Sequence, residues 1–73
     1  MSYRVVLSVE FEDMDEWYDI NEILEPFAVD CNGAGTGPGF RDMDWTKPDR
    51  ASAEALVNSL REVVEEGGYR IRR

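Results

Sequence analysis

The sequence predicts a two-layer α/β domain with the element order β-α-β-β-α-β. Three observations predict it. Residues 4–11 and 40–46 alternate apolar and polar side chains, as half-buried strands do. Residues 13–26 and 51–66 carry apolar side chains at helical spacing. Glycine and proline stand between these segments, with Pro26 at the end of the first helical one. The 73 residues make one domain, 1–73. A chain of this size buries only roughly 60% of the surface its unfolded form exposes, so its core is thin and any site belongs on a face, an edge or a loop.

Each element follows from local chemistry. In Arg4–Phe11, residues Val5, Leu7, Val9 and Phe11 share one face and Arg4, Val6, Ser8 and Glu10 the other. Asp13 reads as a helix N-cap, with Glu16 three residues on to close a capping box. Trp17, Ile20, Leu24 and Phe27 follow at helical spacing, and Pro26 is expected to end that helix. Residues 27–32 read as a second strand with Val29 and Cys31 inward and Ala28, Asp30 and Asn32 outward; without it the sheet would be a three-stranded miniature. The run from Asn32 to Gly39, with glycine at every second position from 33, reads as a loop or wide turn. Phe40–Thr46 is the third strand, with Arg41, Met43 and Trp45 on one face and Phe40, Asp42, Asp44 and Thr46 on the other.

Pro48 suits a helix start, with Thr46 or Asp49 as its cap. Ala51–Glu66 carries an apolar stripe of Ala53, Leu56, Val57, Leu60, Val63 and Val64, and Gly67-Gly68 stops it. Tyr69–Arg73 is a short last strand with Tyr69 and Ile71 inward. The order fits a ferredoxin-like plait: a four-stranded antiparallel sheet with two helices on one face and the other face open. Such a fold serves many functions and specifies none.

Charge is the most informative property. Sixteen acids stand against eight bases, a net charge of −8, with no histidine. Residues 1–40 hold nine of the acids and a single base, Arg4, while residues 41–73 are balanced. A field of that sign repels nucleic-acid phosphates and anionic membranes and attracts basic protein surfaces. Direct nucleic-acid binding is therefore not expected. The one open-face aromatic, Phe40, also has carboxylates beside it where RNA-binding sheets carry Lys and Arg.

No apolar run approaches the length of a membrane span. The start runs straight into an alternating strand rather than a signal-type apolar stretch, and Cys31 is alone, so a cytoplasmic, reducing setting is expected.

Catalysis and cofactors are not expected. Without histidine the usual general base and the commonest metal ligand are missing, and a thin domain offers little desolvation to tune a carboxylate pair. Asp42 and Asp44 share a strand face about 7 Å apart, and with Asp30 they invite a divalent-cation reading. Neither Asp-Met-Asp triplet has the glycine and closing glutamate of a calcium loop, so no metal site is assigned. The glycine run lacks both the dinucleotide fingerprint and the Gly-Lys-Ser/Thr ending of a phosphate loop. Gly33, Gly35, Gly37 and Gly39 with Arg41 remain an alternative anion or small-ligand loop through their backbone N–H groups.

One feature runs against local economy. The first helix carries Asp15, Asp19, Glu22 and Glu25 with no Lys or Arg to pair with them, and like charges at this spacing cost roughly 0.2–0.5 kcal/mol each. A local rule broken without structural gain points to function. The expected function is therefore that of a non-enzymatic interaction or regulatory module for a basic partner protein. It would bind through Asp15, Tyr18, Asp19, Glu22 and Glu25, with Tyr18 as the aromatic anchor.

An alternative is an inhibitor of the phage or plasmid type that mimics a nucleic-acid backbone, although Arg50 and Arg61 break the acidic row on the second helix. A second surface is expected on the open sheet face, at Phe40, Asp42, Asp44, Arg70 and Arg72, where two copies of the chain could pair as a homodimer.

Overall fold

The computed structural model describes residues 1–72. The first strand, β1 (Tyr3–Glu10), alternates as its sequence requires: Val5, Leu7 and Val9 are buried, while Val6 is 62% exposed. The first helix, α1 (Met14–Ala28), starts at the Asp13 cap, whose carboxylate accepts from the Glu16 N–H at 2.9 Å. Glu16 reaches back to the N–H of Glu12 at 2.7 Å, one residue earlier than a standard capping box. Ile20 and Leu24 are the buried residues of this helix.

Helix α1 does not stop at Pro26. It continues to Ala28, and residues 27–32 form no strand. A proline so near a helix end forfeits a single backbone bond, and the last carbonyls here find other donors. The Trp45 indole N–H donates to the Phe27 carbonyl at 2.8 Å, and the Cys31 N–H to that of Ala28 at 3.3 Å. Phe27 packs against the core and holds the final turn in place. Val29, expected to point inward, is 93% exposed, whereas half-buried Cys31 does pack on the core.

The missing strand is supplied by the glycine run. Gly33–Gly37 is β2, paired antiparallel with β3 (Phe40–Lys47) from Gly33 opposite Asp44 to Gly37 opposite Phe40. The expected loop shrinks to Pro38-Gly39. Gly39 has φ 80°, which suits proline then glycine at the centre of a type II turn. The second helix, α2 (Arg50–Glu66), is capped by Asp49, whose carboxylate accepts from the Ser52 N–H at 2.7 Å and is held below its usual pKa by that bond. The last strand, β4 (Arg70–Ile71), is short; beyond it the Arg72 N–H reaches β1 at the Ser8 carbonyl. Arg73, assigned to that strand from the sequence, lies outside the described residues.

The sheet order is β2-β3-β1-β4 with every neighbouring pair antiparallel. Two helices cover one face, and the topology is ferredoxin-like β-α-β-β-α-β. Helix α1 lies over the β2–β3 side and α2 over β1 and β4. Trp45, Ile20, Leu24, Leu60, Val9 and Val64 are the largest fully buried side chains between them. No helix among the described residues is long and apolar enough to cross a membrane.

Candidate functional site

The outward face of α1 presents Asp15, Tyr18, Asp19, Glu22 and Glu25, all exposed, with Tyr18 at 63%. Among the described residues none of these four carboxylates has a Lys or Arg within 4.0 Å. Asp19 accepts a short hydrogen bond from the Tyr69 hydroxyl, which enters from the link between α2 and β4. That bond, helped by desolvation and by the nearby Asp19, Glu16 and Asp13 charges, pushes the Tyr69 hydroxyl up to about 12.

A polar bracket fixes this face to the sheet. Trp17, expected in the core, is only half-buried, and its indole N–H donates to Thr36 Oγ1 on β2 at 2.9 Å. Asn21 donates to the Trp17 carbonyl at 2.8 Å and accepts from Arg41 Nε at 2.6 Å. Arg41 Nη1 donates to the Gly35 carbonyl at 3.0 Å, and its guanidinium lies 5.7 Å from the centre of the Trp17 ring. Tyr18 stacks edge-to-face on Trp17 with ring centres 5.0 Å apart. The exposed tyrosine is thus held by a neighbour that is itself tied to β2 and β3.

This bracket was absent from the sequence reading. Its faint signals are Asn21 one helical turn after Trp17 and Thr36 alternating with glycines.

The fold also changes the setting of the residues expected to form an anion loop. Gly33, Gly35 and Gly37 belong to a paired edge strand, Gly39 to a tight turn, and Arg41 is engaged by Asn21 and Gly35. The pliable loop that reading required does not form. Glycine suppresses the strand signal because it has low strand propensity and shows no side-chain alternation.

The residues of the second expected surface lie on one sheet face. Phe40, Asp42 and Asp44 on β3 share the open sheet face with Val6, Ser8 and Glu10 on β1, and Arg70 stands opposite Glu10. The Arg72 guanidinium lies 4.3 Å from the centre of the Phe40 ring. These groups largely satisfy one another: Ser8 donates to Asp42, while Asp44 meets Arg4 at 3.3 Å and Asn32 at 3.4 Å.

Asp30 does not join Asp42 and Asp44. It lies after α1 and pairs with Lys47 at 2.6 Å, a bond that holds its carboxyl below the usual range. Comparison of the chain with protein-family models, with curated proteins and with solved structures gives no match, so the functional reading rests on its own residues.

Proposed function

We propose that the outer face of α1 is a docking surface through which this chain engages a basic patch on a partner protein, as a small non-enzymatic regulator, inhibitor or accessory subunit in a cytoplasmic setting. The carrying observation is the exposed Tyr18, fixed through Trp17, among Asp15, Glu22 and Glu25, which have no cationic partner among the described residues. A rigid aromatic costs little conformational entropy on binding and anchors an interface well. Unpaired carboxylates around it steer a basic partner and set its orientation. The repulsion the helix bears alone is relieved in the complex.

The test is affinity capture from source-cell lysate with elution along a salt gradient, comparing wild type with Glu22→Lys/Glu25→Lys. Asp19 is left intact because it holds Tyr69. A single basic protein retained by wild type, released at moderate salt and lost in the variant supports the proposal. Equal retention of the same protein by both forms overturns it. Whether the captured protein binds nucleic acid separates backbone mimicry from other regulation.

A further inference from the structure

The sheet is incomplete on the side away from α1. Strand β4 pairs with β1 only at Val9 and Glu10, and the Arg72 N–H adds one bond at Ser8. Among the described residues, Tyr3–Val6 therefore has a strand partner, β3, on one side only. Beside this free edge runs a groove of ≈ 580 Å³ between β1 and α2, floored by Val5 and Ala53 and bordered by Tyr3, Val6, Val57 and Asn58. A second groove of ≈ 150 Å³ continues it past Val57 toward Ile71. Val57 and Tyr3 are each 37% exposed. Main-chain donors and acceptors on an open strand are completed by another extended strand.

The charges along α2 say which strand fits. Arg50, Glu54, Val57 and Arg61 line these grooves, and Glu65 follows them at helical spacing on the same exposed flank of α2. Their signs read plus, minus, neutral, plus, minus. Reversed, as a two-fold axis reverses a helix, the series becomes minus, plus, neutral, minus, plus. Arg50 already pairs with Glu54 within α2 at 2.9 Å. An antiparallel copy of the same flank places Glu54 against Arg61 of the second copy and Arg50 against Glu65 of the second copy, so that this pair becomes part of a charge network occurring twice about the axis.

Helix α2 runs parallel to β1, because β1 is antiparallel to the two strands α2 connects. One axis normal to the sheet thus pairs both elements at once. The acidic face of α1, over the β2–β3 side, lies at the far ends of such an assembly, so the charged half of each chain stays apart.

We infer that the free edge of β1 and the adjoining flank of α2 form a two-fold interface with a second copy of this chain. The pair would make one continuous eight-stranded sheet with Tyr3–Val6 paired across the axis. This interface is distinct from the open sheet face and from the α1 docking surface, and it does not depend on the function proposed for α1.

The experiment is sedimentation equilibrium of the full chain from low to high micromolar concentration, with Glu54→Lys, Arg61→Glu and the double charge swap. Circular dichroism confirms that each is folded. Wild type is expected to dimerise. Each single variant should weaken the dimer on the order of tenfold, since reversal turns two attractions into two repulsions. The double swap should restore it, and an equimolar mixture of the two single variants should form a heterodimer. A wild type that stays monomeric at high micromolar concentration overturns the inference. So does a dimer that neither single variant weakens, which would place the contact elsewhere, the open sheet face included.

Discussion

Tyr69 and Asp19 tie the end of α2 to the outer helix face, and their bond has a pH signature. The hydroxyl gives up its proton only near 12 in the folded chain, against about 10 when unfolded. A group that keeps its proton longer in the folded state stabilises that state fully below pH 10. The contribution is lost as pH rises from 10 to about 12. Phenolate absorbance during alkaline titration should therefore show a late step from Tyr69. Tyr69→Phe should remove that late step and flatten the fall of stability across the same window. A variant whose remaining tyrosines still include one titrating near 12 would show that another residue carries the effect.

At the scale of elements, β2 is the strand that propensity argues against. Gly33, Gly35 and Gly37 all have negative φ, and a Cβ at Gly35 or Gly37 would meet no atom within 4 Å. The backbone does not require glycine there. Gly35→Ala is expected to raise stability by about 0.4–1 kcal/mol through the lower entropy of the unfolded chain. Gly67→Ala should do the opposite, because its Cβ would come within 2.7 Å of Ile23 Cδ1 and 3.2 Å of Tyr69 Cδ2. Chemical denaturation of the two variants checks the pair; a destabilised Gly35→Ala would mean that the β2 backbone depends on glycine after all.

The same strand shows where sequence reasoning reached its limit. β1, β3 and both helices carry their identity in side-chain periodicity, and most of their faces were legible from it: Val5, Leu7, Val9, Met43 and Trp45 are buried as alternation demands, whereas Trp17 on α1 is half-buried and Val57, placed in the apolar stripe of α2, is exposed. Strand β2 has almost no side chains to alternate, so only its pairing with β3 defines it. The end of α1 was misplaced for a related reason. Pro26 is a local stop signal, but the Trp45 indole on a distant strand captures the Phe27 carbonyl and prolongs the helix. The exposed acidic face was readable from spacing alone; the Trp17–Asn21–Arg41 bracket was not, because its members meet only through the fold.

Across the whole molecule, charge and shape divide the labour. The acidic half of the sequence builds α1 over the β2–β3 side, and the balanced half builds α2 and the far edge of the sheet. Under the two proposals, one side meets a cationic partner and the other a copy of itself. The central claim is that Tyr18 and the carboxylates around it meet a basic protein. Site-specific photocrosslinking in source-cell lysate tests it most directly, with the crosslinking side chain placed at position 18 and, as the control, at position 46, exposed on the open sheet face. The account predicts one dominant adduct from position 18 with a basic protein, suppressed by raised salt and by Glu22→Lys/Glu25→Lys, and no such adduct from position 46. An adduct from position 46 alone, or one from position 18 that is indifferent to salt and to charge reversal, would contradict it.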